Sequence, residues 1–238
     1  MTEASNGSSR SVKVGVAVPA AGSGQRMGGT RKAFLELLGE PMLVHAVRPF
    51  LAEARVVAVV VALSSEDASA LPAWSEGLDP RVIFARGGKT RSQSVRAAIE
   101  ALPAEVDIIA VHDAARPLVN SNVVSRCIDL AADGFGAIAG TPAVDTIKYA
   151  GEDKTVVKTP DRGMLWHAHT PQVFPAGVLR QAYSDRSVEG TDDAAVVESL
   201  RSGLQIKMVD AGRLNLKVTH RSDLVLAEAI LTSLSDSS

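Results

Sequence analysis

The chain has 238 residues, enough for one large α/β domain or two small ones with a full core, and its 46% hydrophobic and 22% charged residues are ordinary for a soluble globular protein. A formal net charge of −2 gives no basic field for nucleic acid or an anionic membrane surface. The one cysteine, Cys127, excludes an intramolecular disulfide and a multi-cysteine zinc site, and no apolar run is long enough to span a bilayer.

In chain order, "MTEASNGSSRS" (1–11) is polar, Ser-rich and without the apolar core of a signal peptide, so it reads as a disordered tail on a cytoplasmic protein. "VKVGVAV" (12–18), "RVVAVVVAL" (55–63), "RVIFA" (81–85), "DIIAVHD" (107–113) and "GAIAGTPAV" (136–144) predict strands, several of them apolar on both faces as in a buried parallel sheet. "PMLVHAVRPFLAEA", "TRSQSVRAAIEALP" and "NSNVVSRCIDLAADG" alternate with them at helical spacing, which predicts a single Rossmann-like, doubly wound, mostly parallel sheet. The rhythm breaks at residue 145. "DTIKYAGEDKTVVKTP" predicts a polar hairpin around "GEDK", an arm over about 141–162 with too little apolar side chain to stand alone. Helices near 175–185 and 192–202, strands "IKMVD" and "NLKVT", and a helix from about 222 complete one domain over 12–234, with 235–238 as a frayed end.

Ligands of an open parallel sheet bind beyond the carboxyl ends of its strands, and the candidate residues follow strands. "VPAAGSGQRMGGTRK" (18–32) follows the first. Gly22 and Gly24 let backbone N–H groups approach phosphate, but Met27 stands where a dinucleotide fingerprint needs its third glycine, and no Gly-Lys-Ser/Thr of a P-loop occurs. Arg26, Arg31 and Lys32 crowd the loop instead, which suits a triphosphate. "GGKTRSQSV" (87–95) adds Gly88, Arg91 and Ser94 at a helix start, although Ser92 or Ser94 as a simple cap explains them equally well. "VHDAARP" (111–117) offers Asp113 for Mg²⁺ and Arg116 for a phosphate, against the competing reading of an Asp113–Arg116 ion pair. In "TDDAAVVESL", Thr191 or Asp192 caps a helix, and Lys217 in "NLKVT" must snorkel or meet an anion. His45, His112, His167 and His169 read as packing and hydrogen-bonding groups, His220 as exposed, and Cys127 as a buried hydrophobe.

Taken together, "PAAGSGQRMG", "GGKTRSQSV", "VHDAARP", "DTIK", "DRGMLWHAHTPQVF", "TDDA" and "NLKVTHRSDL" resemble, in order and spacing, the 2-C-methyl-D-erythritol 4-phosphate cytidylyltransferases from about residue 13 to about 232. The resemblance implies cytidylyl transfer from CTP to methylerythritol phosphate with release of pyrophosphate, a step of non-mevalonate isoprenoid synthesis. It also implies Mg²⁺ and a homodimer whose arms reach across to the partner's site. By the same resemblance Ala20, Ala21, Gly22, Gly24, Arg26 and Lys32 form the CTP loop, Gly88, Arg91 and Ser94 face the cytosine, and Asp113 serves the metal and ribose. Arg116, Thr191 and Lys217 meet methylerythritol phosphate, with Lys217 counted beside Arg26 and Lys32 among the catalytic cations. Thr146, Arg162 and Thr170 resemble positions through which the arm region contacts substrate or supports the dimer site. The sequence departs from the family where Arg31-Lys32-Ala33 stands for Pro-Lys-Gln. The expected reaction is in-line attack of the substrate phosphate on the α-phosphorus, with no general base. A cytidylyltransferase for another polyol phosphate, such as ribitol 5-phosphate, shares these signatures.

Overall fold

The structure is a computed structural model that describes residues 11–22 and 31–235. β1 (Val14–Pro19) leads toward a tight hairpin of β2 (Glu36–Leu37) and β3 (Glu40–Pro41). Its two turn residues, Leu38 and Gly39, both take positive φ (50° and 82°), as a two-residue hairpin turn matched to strand twist requires. Next come α1 (Met42–Leu51), β4 (Val56–Leu63), α2 (Ser65–Ser69), β5 (Val82–Arg86), α3 (Arg91–Ala101), β6 (Ile108–Val111), α4 (Ser121–Ala132) and β7 (Gly136–Pro142). The arm carries β8 (Tyr149–Ala150) and β9 (Val156–Lys158). β10 (Trp166–Pro175), α5 (Ala176–Ala182), α6 (Asp193–Ser199), β11 (Ile206–Asp210) and α7 (Arg221–Ser235) return to the body.

Seven strands form one sheet in the order β5-β4-β1-β6-β10-β7-β11, parallel throughout except for β10. The winding runs from β1 outward through β4 to β5, then jumps back to place β6 on the other side of β1. That reversal opens a crevice beyond the ends of β1 and β6. Period-two alternation sends side chains to both faces. Val14, Val16, Val18, Val59 and Val61 pack with Phe50, Val124 and Ile128 on one face. Ala17, Val60, Ile109 and Val111 pack with Val95, Ile99, Phe174 and Leu179 on the other. Cys127 lies fully buried in the first of these layers, as the sequence predicts.

The segments "NLKVT" and "WHAHTPQVFP" differ from the sequence reading, which also contains neither the β2–β3 hairpin nor α2. "NLKVT" forms no strand: residues 215–219 are irregular and are tied to the turn after β6, where Val218 N–H donates to the Ala115 carbonyl (2.8 Å). "WHAHTPQVFP" is a ten-residue strand that wedges antiparallel between β6 and β7, pairing Gln172 with Val111 and Trp166 with Pro142. The arm is therefore an excursion between two adjacent strands. It leaves the end of β7 and returns along β10, with β8 and β9 paired at its tip. Helix α7 extends to Ser235, one residue beyond the predicted domain end; the rest of the predicted fray and the N-terminal segment 1–10 lie outside the described residues.

Candidate functional site

At the crevice beyond β1 and β6 lies a pocket of about 560 Å³. Ala20, Ala21, Gly22 and Lys32 line it from the β1 loop, Gly88, Lys89, Thr90, Arg91 and Ser94 from the turn after β5, Asp113, Ala114 and Ala115 from the turn after β6, and Lys217 and Thr219 from the segment before α7. Among the described residues four cations, Lys32, Lys89, Arg91 and Lys217, and one carboxylate, Asp113, thus line the pocket. Such a cleft focuses positive potential on an anion.

The turn after β5 is shaped by backbone proximity. A Cβ on Gly87 would stand 2.9 Å from the Ala21 Cβ and 3.1 Å from the Leu63 carbonyl oxygen, so glycine lets this turn lie against the β1 loop. Thr90, not Ser92 or Ser94, caps α3 by accepting from Gln93 N–H (3.2 Å). Ser94 is buried, accepting from Gly88 N–H (3.2 Å) and donating to the Thr90 carbonyl (3.0 Å), which folds the turn over the helix start.

Asp113 binds Lys217 Nζ at 2.6 Å and Arg91 Nε at 3.1 Å. Arg91 in turn places its two terminal nitrogens on Asp193 at 2.7 and 3.1 Å. Asp193 is fully buried and also accepts from the Tyr183 hydroxyl (2.7 Å). Burial alone would raise the Asp113 carboxyl, yet Arg91 and Lys217 hold it well below the usual carboxylate range, so it stays ionised. The Asp113–Arg116 ion pair, the competing reading of "VHDAARP", does not form. Arg116 turns away and donates to the Asn215 carbonyl (2.8 Å), while Lys217 answers the anion requirement read from its apolar surroundings.

Behind the pocket a buried chain of hydrogen bonds fixes the turn after β6. Asp113 N–H donates to the Thr170 hydroxyl (3.0 Å), which lies 3.1 Å from His112 Nδ1, and His112 Nε2 lies 3.0 Å from the Arg116 carbonyl. A carbonyl can only accept, so Nε2 carries the proton and Nδ1 accepts from Thr170. Burial pushes the His112 imidazole down to about 4, in keeping with this neutral form. His112 and Thr170 thereby orient Asp113 from below, and the structural role read for His112 is the observed one.

Of the sequence candidates, Ala20, Ala21, Gly22, Lys32, Gly88, Arg91, Ser94, Asp113 and Lys217 meet in the one pocket. Arg116 and Thr170 are buried beside it. Thr191 is exposed outside its lining, next to Asp192, which caps α6 by accepting from Ala195 N–H (2.9 Å). Thr146 and Arg162 are exposed on the arm, and Arg162 donates to the Val144 carbonyl there (2.7 Å). Gly24 and Arg26 lie outside the described residues. Arg31 pairs with Asp67 and with Glu66 (2.6 Å) beside α2, away from the pocket. Lys89, Thr90 and Thr219 were not singled out from the sequence, nor was Asp193. The sequence does carry a signal for Asp193, a second acid that remains after Asp192 caps the helix.

Among the described residues no group of three or more His, Cys, Asp and Glu side chains could hold a metal ion. Asp113 is the one carboxylate among the described residues that line the pocket, and two of its roughly four acceptor sites are occupied by Arg91 and Lys217. That donor set fits Mg²⁺ arriving with phosphate oxygens, which needs only one or two protein carboxylates.

A doubly wound sheet with a polycationic pocket at its switch point defines a nucleotide-binding α/β protein. The profile of the 2-C-methyl-D-erythritol 4-phosphate cytidylyltransferase family matches residues 14–233, and the chain belongs to that family. A relative from Symbiobacterium thermophilum bearing the family's name is 45% identical over 92% of this chain and 93% of its own. Another, from Streptomyces coelicolor, is 41% identical over 90% and 83%. Among solved structures, the 2-C-methyl-D-erythritol 4-phosphate cytidylyltransferase of Thermus thermophilus superposes with a TM-score of 0.74 at 30% identity, covering 94% of this chain and all of that one. A protein from Anaerococcus prevotii superposes with a TM-score of 0.83 over 93% and 97% of the two chains, and at 23% identity it bears on the fold alone.

Proposed function

We propose that the chain transfers the cytidylyl group of CTP to the phosphate of methylerythritol phosphate, releasing pyrophosphate, as a step toward isoprenoid precursors by the non-mevalonate route. The observation that carries this reading is the convergence of Lys32, Arg91 and Lys217 around the ionised Asp113, at the switch point of a chain of this family. A phosphate monoester is already anionic near neutral pH, so its oxygen attacks the α-phosphorus in line without a general base. The new P–O bond forms as the bond to pyrophosphate breaks. The barrier is the approach of two anions, and positioned cations lower it.

In this reading Ala20, Ala21, Gly22 and Gly24 cradle the triphosphate, while Lys32, Lys217 and Arg26 counter the charge that develops around the α-phosphorus. Gly88, Arg91 and Ser94 face the cytosine, and Asp113 the ribose and the metal. Mg²⁺, with Asp113 as its protein ligand, would neutralise triphosphate charge and orient the leaving group. Arg116, Thr170 and Thr191 take the polyol phosphate, joined by Thr146 and Arg162 from the arm of a second copy. Val144, Tyr149, Val156, Val157 and Met164 on the arm are exposed apolar side chains, which supports a homodimer that covers them. A cytoplasmic enzyme, with CTP at hand, belongs to this reading. No helix among the described residues is long and apolar enough to cross a membrane.

Pyrophosphate release tests the reading, measured with methylerythritol phosphate against CTP, ATP, UTP and GTP, and with ribitol 5-phosphate against CTP. Release with CTP and methylerythritol phosphate alone is expected. Faster release with ribitol 5-phosphate would reassign the substrate, and no release with either would remove the activity.

A further inference from the structure

Three buried polar atoms among the described residues lack a hydrogen-bond partner: Arg116 Nε, Asn215 Oδ1 and His169 Nδ1. They are neighbours. Arg116 donates to the Asn215 carbonyl (2.8 Å), the Asn215 amide nitrogen donates to the Thr170 carbonyl (3.0 Å), and His169 is the residue before Thr170. Because the Thr170 carbonyl can only accept, the Asn215 amide has its nitrogen there and Oδ1 is left as an unused acceptor. A buried polar atom without a partner is costly, and three of them around two adjoining segments mark a seat for a polar ligand.

The chemistry of that ligand follows from Arg116. It is 7% exposed, yet forms no ion pair among the described residues. A buried guanidinium without a carboxylate calls for an anion, and phosphate suits its planar fork. The place is right for a second substrate. Arg116 N–H bonds the Asp113 carbonyl (3.0 Å), and Asn215 lies two residues before Lys217, so the cluster adjoins the nucleotide pocket. The His169 imidazole is pushed down to about 4, first by burial and then by the Arg116 charge, so it is neutral near pH 7 and keeps one ring N–H to donate.

We propose that His169 binds the second substrate: its Nδ1–H and the Arg116 Nε–H donate to the substrate's phosphate, while Asn215 Oδ1 accepts from a hydroxyl of the polyol. The proposal rests on the reading above that this substrate is a polyol phosphate, and it adds His169 and Asn215 to the groups that select it. Calorimetric binding of methylerythritol phosphate, with a non-hydrolysable CTP analogue present, tests it on the full chain. His169→Ala is expected to weaken binding about tenfold, within the range for a hydrogen bond to a charged group. His169→Asn, which keeps an N–H donor near Nδ1, should recover most of the affinity, with affinity for the analogue unchanged in both variants. Equal affinities in all three proteins would overturn the proposal, as would a parallel loss of analogue affinity, the mark of a structural role. Pyrophosphate release by the unaltered enzyme, run alongside, judges the reaction separately, because the binding series needs no turnover.

Discussion

Asp113 sits between two cations that are anchored very differently. Arg91 is clamped by the fully buried Asp193, whereas Lys217 comes from a segment outside the sheet and meets Asp113 through a single 2.6 Å contact. Lys217, the more exposed of the two, can meet a substrate anion while still on Asp113, and Arg91 remains a fixed wall of the pocket. The adjoining pair Arg31 and Lys32 shows a similar division. Both were candidates for the phosphate loop, but Arg31 is committed to Asp67 and Glu66 and Lys32 lines the pocket. Lys32→Ala should therefore lower kcat by about 10²–10³, the usual loss for one preorganised charge at a reacting centre. Arg31→Ala should leave kcat within a few fold. Steady-state rates of pyrophosphate release compare the two, and equal losses would show that Arg31 shares the role.

At the scale of elements, strands β1, β4 and β6 were legible because burial on both faces makes their sequences continuous apolar runs. Strand β10 was not, because Trp166 to His169 are mostly exposed near the arm and only the stretch from Thr170 to Phe174 is buried, so its pattern changes halfway. "NLKVT" failed in the opposite sense. Its alternation is that of a strand, yet β1 and β6 are already paired with each other where it crosses, so Leu216 and Val218 instead pack with Leu37, Met42 and Leu118. The site motifs were legible one by one, since each follows a strand. That Arg91 is held by Asp193 was not, because 102 residues separate them and only the tertiary fold brings them together. Two predictions belong to this scale. Gly87→Ala would drive a methyl group against Ala21 and the Leu63 carbonyl, parting two loops of the pocket; the KM for CTP should rise with a stability loss of about 1–3 kcal/mol. On the arm, Val157→Glu combined with Met164→Glu should shift a dimer to monomer in analytical ultracentrifugation at micromolar concentration, with the unfolding midpoint little changed, because both side chains are exposed within the chain.

For the whole molecule, the buried polar spine beneath the pocket links folding to pH. His112 is neutral in the fold, pushed down to about 4 by burial, whereas in the unfolded chain it titrates at an ordinary imidazole value of about 6.5. Between these values the unfolded chain binds the extra proton, so stability rises with pH across this window and is lost as pH falls through it. Asp113 has the opposite chemistry but acts lower. Its folded carboxyl is held below the usual range, so its contribution is complete above about 4 and is lost only in stronger acid. The interval from 6.5 to about 5 therefore belongs to the histidines, and below it paired carboxylates such as Glu40 and Glu53 add to the loss. His112 can supply a decline on the order of 3 kcal/mol, with a smaller share from the partly exposed His169. Urea unfolding at half-unit steps from pH 4.5 to 7.5 measures the slope directly. His112→Gln, which can still donate to the Arg116 carbonyl but cannot titrate, should be less stable at pH 7.5 and should flatten the curve toward acid. A wild-type curve already flat across the window would mean that the imidazole takes up its proton in the fold, on Nδ1, and that Nδ1 does not accept from the Thr170 hydroxyl.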